Sequence, residues 1–217
     1  MNHADITQSI IRSQHCQRNW DISKEIPEDD LKLLVTAGTQ CPSKQNVAFY
    51  QIHYITNRDI IEKIHNNTKG FVVTLDPTPE YTTNTQTLAN LVVVFEKYIN
   101  LDNANNSLRN DQTRDIINNS SNKQMAENIL DGDRLLAVGV AAGYLNLTAN
   151  MLGYSTGCCS CFDRETVRNV LNLENDVLLL MGIGFKDSSL NRRVSHVDHS
   201  YMFPTKPKQP IKVNFIK

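Results

Sequence analysis

The chain has almost no charge of its own: across 217 residues, 22 Lys and Arg stand against 23 Asp and Glu, a net charge of -1. No general field therefore draws in nucleic acid or an anionic membrane, and any phosphate must be met by a local cluster. Long apolar runs are missing too. No stretch approaches the roughly 18 residues of a membrane span, and MNHADITQSI has neither a basic start nor an apolar core behind it. The expectation is a soluble, cytoplasmic protein with no nucleic-acid or membrane partner. There is also no P-loop, no Gly-x-Gly-x-x-Gly fingerprint, no His-Glu-x-x-His helix and no internal repeat, which removes the commonest nucleotide and zinc-hydrolase signals. Cysteine is sparse and odd in number, five in all. Cys158, Cys159 and Cys161 stand too close together for a simple disulfide framework, so reduced thiols are expected. A chain of this length fits one domain, residues 1–217.

What is present is organised around AAGYLNLTANMLGYSTGCCSCFD, Ala141 to Asp163. Small residues from Ala137 to Ala149 alternate with Leu145, Leu147, Met151 and Leu152, the pattern of a helix apolar on most sides. A central buried helix is predicted, with Gly153 as its C-cap. The YSTGCCSC loop that follows carries no charged side chain. A flat group can approach such a backbone, but the same composition suits a loop that is merely buried. Asp163 is placed to cap a further helix containing Val167, Val170 and Leu171.

In chain order, Ile6, Ile10 and Ile11 mark one face of a short helix ending near Arg12. Arg12 to Asp21 is polar and holds the only Trp. Arg12, His15 and Arg18 are there candidates to grip an anion, the alternative being a solvated loop with Trp20 pinned into the core. Pro27 and the acids Glu28, Asp29 and Asp30 start a helix that stops near Gly38. A donor-rich loop, Thr39 to Asn46, then leads into a strand over 48–56 with both faces largely buried, in which His53 is a satisfied sheet residue. A short helix over 58–65 and a turn-rich break at 76–80 follow. The interior strand Leu91 to Phe95 has Asn84 and Gln86 at its mouth, suited to a ligand or to a simple turn. Residues 97–122 are Asn-rich and read as an exposed excursion or lid.

A long helix is predicted over 123–152, with a possible break at Asp131-Gly132-Asp133. A buried strand over 177–184 delivers the chain to a second cationic pair, Arg192 and Arg193. The tail alternates Ile211, Val213 and Phe215 against Lys212 and Asn214, the pattern of a half-buried strand. Pro204, Pro207 and Pro210 make residues 203–217 an extended arm suited to pairing with another subunit.

Three separated segments together resemble the FMN-dependent nitroreductase family: Gln14-His15-Cys16-Gln17-Arg18-Asn19-Trp20, then Pro42-Ser43-Lys44-Gln45-Asn46, then LGYSTGCCSCFD followed by a strand ending in Gly and a basic pair. The resemblance implies an α+β nitroreductase-like fold: a central mixed, mainly antiparallel sheet flanked by helices, in an intertwined homodimer whose C-terminal arm adds to the partner. It implies FMN as cofactor, NADH or NADPH as co-substrate, and a small-molecule acceptor such as a nitroaromatic or quinone. Arg18 would lie at the N1 and C2 carbonyl edge of the flavin, where a cation stabilises the charge gained on reduction. Pro42, Ser43, Lys44 and Asn46 match the segment that closes the site from the other subunit. Cys159, Ser160 and Cys161 would offer their backbone to the ring, Asn84 would meet the ribityl or ring edge, and Arg192 and Arg193 the phosphate. The sequence departs from the family pattern at Gln14, where a phosphate-binding Arg is expected, at Cys16 in place of Ser, and at Lys44 in place of the second Ser. Phosphate is then left to Arg12, His15 or Lys44.

No dedicated acid or base is expected, because the flavin carries the chemistry. Three other readings stay open from sequence: a specialised flavin relative such as a peptide dehydrogenase or reductive dehalogenase, a metal or thiol site built from Cys158, Cys159 and Cys161 with Cys16 or Cys41, and a flavin-binding protein without turnover.

Overall fold

Four antiparallel strands lie at the centre of the computed structural model, which describes residues 2–70, 83–98, 123–205 and 207–216. The turn-rich break at 76–80 and residues 99–122 of the excursion lie outside them. The strands are β1 (Tyr50–Ile55), β2 (Leu91–Lys97), β3 (Ser155–Cys159) and β4 (Val177–Gly184), in the order β1-β2-β4-β3. All three pairings are antiparallel, and the parallel element is an isolated bridge between Cys16 and Thr156.

Residues of β2 alternate between two cores, as the twofold period of a strand requires. Val92 and Val94 face one cluster, together with Trp20, Ile61, Ile64, Val167 and Leu180. Leu91, Val93 and Phe95 face the other, with Leu34, Val138, Ala141, Leu145, Met181 and Ile183. The first is covered by α3 (Arg58–His65) and α5 (Arg164–Val170), the second by α2 (Glu28–Thr39) and α4 (Lys123–Met151). Helix α1 (His3–Ser13) packs beside α4. Burying a Val or Leu side chain contributes about 1.5–3 kcal/mol, so a strand covered on both faces anchors the whole arrangement. This is the α+β architecture expected.

Local signals set the helix boundaries. Asn2 and Asp5 form a capping box on α1, and the Asp163 carboxylate accepts the Thr166 N–H at the start of α5. Gly153 closes α4 in the left-handed region at φ 93°.

Five expectations meet a different outcome in the single chain. Helix α4 runs without a break through Gly132; Arg134 pairs with Asp131 inside it, and Lys44 reaches Asp133 at 2.6 Å across it. Its burial is also one-sided: Ala137, Val138, Ala141, Leu145 and Ala149 are buried, but Leu135 (64%), Leu136 (71%), Val140 (38%) and Tyr144 (48%) are exposed. Strand β1 is shorter than predicted and mostly half-buried, because it is an edge strand. The residues read as a loop after Tyr154 are strand β3, held by β4. Residues 207–216 form no strand within the single chain and are exposed, Phe215 at 88% and Ile216 at 98%.

Candidate active site

The segment after α1 crosses from the Cys16–Thr156 bridge to Trp20, whose buried indole N–H donates to the Thr85 carbonyl at 2.9 Å. Thr85 returns a hydroxyl to the Arg18 carbonyl at 2.7 Å. These two bonds fix Arg18 against the 3₁₀ helix Thr85–Leu88. Its guanidinium donates to Asn84 Oδ1 at 2.6 Å and stacks 4.3 Å from the Phe203 ring centroid. No carboxylate pairs with it among the described residues. Burial lowers the pKa of Arg18, and the nearby Cys16, Cys159 and Tyr201 side chains oppose that shift.

Asn84 is buried and spends its amide on Gln86 Oε1 at 2.9 Å and on Cys159 Sγ at 3.0 Å. The Cys159 thiol donates in turn to the Cys161 carbonyl at 3.6 Å. Burial pushes that thiol up to about 11, so it stays protonated at neutral pH. Cys159 is thus a satisfied core group, whereas Cys158, Ser160 and Cys161 are exposed at the end of β3. Arg18, Asn84 and the Cys159–Cys161 segment, three distant parts of the chain, therefore meet. Among the described residues, no three His, Cys, Asp or Glu side chains gather as a metal ion requires.

Beside this cluster lies a pocket of about 260 Å³ lined by Arg12, His15, Lys186 and Arg192, with Gln17 and Asp187. Arg192 joins the two: its guanidinium donates to the Cys16 carbonyl at 3.2 Å, and its own carbonyl accepts the Arg18 N–H at 2.9 Å. Gln14 is exposed in the turn before it. Arg193 turns away, with Nε on the Phe203 carbonyl at 2.8 Å. The sequence pattern missed Lys186 and Phe203. Lys186 lies two residues past β4, so a basic residue just beyond a buried strand was the available signal; a lone Phe in a Pro-rich tail offered none.

Pro42, Ser43 and Asn46 are not brought to Arg18 within one chain. They line a separate cavity of about 1080 Å³ with Cys41, Tyr50, Tyr54 and Tyr144. Ser43 Oγ donates to the Val47 carbonyl at 2.9 Å, Lys44 is paired with Asp133, and Asn46 is left-handed at φ 57°.

The nitroreductase family profile matches residues 11–185. The chain belongs to the nitroreductase family, a family of oxidoreductases. Solved structures share the fold at low identity. A candidate nitroreductase from Bacillus subtilis is 16% identical with a TM-score of 0.67, over 99% of this chain and 100% of that one. A candidate NAD(P)H:FMN oxidoreductase from Staphylococcus epidermidis is 16% identical with a TM-score of 0.64, over 97% and 94%. A candidate nitroreductase from Exiguobacterium sibiricum, solved in complex with FMN, is 16% identical with a TM-score of 0.60, over 95% and 94%. A comparison with curated proteins finds no match. No helix among the described residues is long and apolar enough to cross a membrane.

Proposed function

We propose that the protein is a homodimeric FMN-dependent oxidoreductase that accepts hydride from NADH or NADPH and passes reducing equivalents to an electron-poor small molecule such as a nitroaromatic or quinone. Family membership supports the class. The observation that carries the reading is Arg18, a guanidinium with no carboxylate partner among the described residues, clamped between Asn84 and Phe203 next to the thiol-lined end of β3.

The donor set fits a flavin. FMN, when bound, supplies the two-electron chemistry. Arg18 offers fixed positive charge where a reduced ring edge needs it, and its clamp spares it from reorganising when that charge arrives. Asn84 holds Arg18 in place through Oδ1 and the β3 terminus through its amide. Ser160 and Cys161 are exposed, so a planar group can approach the chain there. Pro42, Ser43 and Asn46 reach this site from a second copy, and the apolar face of α4 and the tail 207–216 are the surfaces that copy covers.

A visible spectrum of the purified protein, taken before and after NADPH or NADH, tests the reading. We expect flavin absorbance that bleaches on reduction and returns with a nitroaromatic or quinone. Colourless protein that cannot be loaded with FMN would overturn it.

A further inference from the structure

Three permanent cations line the small pocket beside Arg18: Arg12 near the end of α1, Lys186 just past β4, and Arg192. The fourth basic group there is His15. Only Asp187 answers them in the lining, and its Oδ1 already accepts the Ser189 N–H at 2.8 Å and hydroxyl at 2.6 Å. Arg12 reaches neutral oxygens alone, Ser9 Oγ and the Asn150 carbonyl, both at a long 3.3 Å. Arg192 likewise reaches the Cys16 carbonyl. None of the three forms an ion pair among the described residues. Like charges gathered around a concavity repel one another, and an anion placed among them removes that cost. His15 reports the same field: desolvation first, and the Arg192 charge second, lower its pKa.

We propose that this pocket is a phosphomonoester site in which Arg12 and Lys186 set the preference for phosphorylated over unphosphorylated flavin. The proposal rests on the flavin reading above. The resemblance assigns the phosphate to Arg192 and Arg193 and to a cation at position 14, where Gln14 stands, and neither Arg12 nor Lys186 occupies a position of the family motif. The other candidates are otherwise engaged: Lys44 holds Asp133 and Arg193 holds the Phe203 carbonyl. The pocket adjoins the Arg18 cluster through the Cys16–Arg18 backbone and Arg192. A ligand with a planar ring at Arg18 and a dianion at its other end therefore meets complementary charge at both.

The test is a fluorescence titration of flavin-free, full-length protein with FMN and with riboflavin in phosphate-free buffer, for wild type, Arg12→Gln and Lys186→Gln. Wild type should bind FMN at least about tenfold tighter than riboflavin, the size of a charge-assisted contact. Each variant should lose most of that margin while its riboflavin affinity stays unchanged, which also reports that it is folded. Inorganic phosphate should compete with FMN and leave riboflavin binding untouched. Equal wild-type affinity for the two flavins, or variants that weaken both alike, would overturn the phosphate assignment and leave the flavin reading standing. If wild type binds neither flavin, the flavin reading fails. The pocket is then judged by NMR titration of His15: inorganic phosphate raising its pKa in wild type but not in Lys186→Gln keeps it as an anion site, and no shift removes it.

Discussion

His65 closes helix α3 almost fully buried, and its Nε2 finds no partner among the described residues. Burial pulls its pKa down to about 4 from an ordinary value near 6.5, with His196 and Arg58 acting in the same direction and a bond with Asn66 against it. The unfolded chain therefore binds a proton that the folded chain refuses between those two values. The stabilising effect is complete above about pH 6.5 and fades as the pH falls towards 4, amounting to up to about 3 kcal/mol. We expect the wild-type melting temperature to drop steadily from pH 7 to 4.5 and His65→Phe to flatten that slope; identical slopes in a calorimeter would refute it. At this scale the sequence was informative wherever a residue had a strong local need. Trp20, pinned by Thr85, and His53, bonded to Glu96 at 2.8 Å, sit as their types suggested. The partners of Arg18 were less legible, since Phe203 lies 185 residues further on and only the fold brings it close.

Among the elements, β3 shows why a strand can hide. Its central Gly157 faces Gly182 of β4 across the ladder, and STGCC lacks the alternating or β-branched run that marks a strand. Long-range pairing alone decides it. By contrast β2, all Val, Leu and Phe over five positions, was plain from its composition. The two glycines also make room for the 3₁₀ helix that presents Asn84: a Cβ on Gly182 would collide with the Gln86 carbonyl oxygen, and one on Gly157 would come within 2.9 Å of Gln86 Cβ. Gly182→Ala must therefore shift backbone, not a flexible side chain. We expect a loss of about 1–3 kcal/mol, typical of forced overpacking, together with weaker flavin binding because Asn84 moves with the helix. Denaturant melts and FMN titration of the same variant measure both. Unchanged stability would mean that the helix is not seated on β4 in solution.

The molecule as a whole leaves an unusual amount of oil in water for one chain. Leu135, Leu136, Val140 and Tyr144 line one face of α4, and Ile211, Val213, Phe215 and Ile216 follow along the tail. Contiguous patches of this kind mark association surfaces. Sedimentation should give twice the 24.6 kDa chain mass, and either Leu136→Lys or removal of residues 207–217 should shift it towards the single-chain value and release bound flavin. A single-chain mass for the intact protein would remove the second copy from the proposed site, and with it any role for Pro42, Ser43 and Asn46 at the flavin.

One consequence follows from the grip on Phe203. Its ring lies against the Arg18 guanidinium and its carbonyl is held by Arg193, so the peptide leading out to residues 207–216 is leashed at Arg18. In the proposed dimer, a second copy that takes up the free end of this leash would load Arg18 directly, tying the proposed flavin site to the seating of the tail.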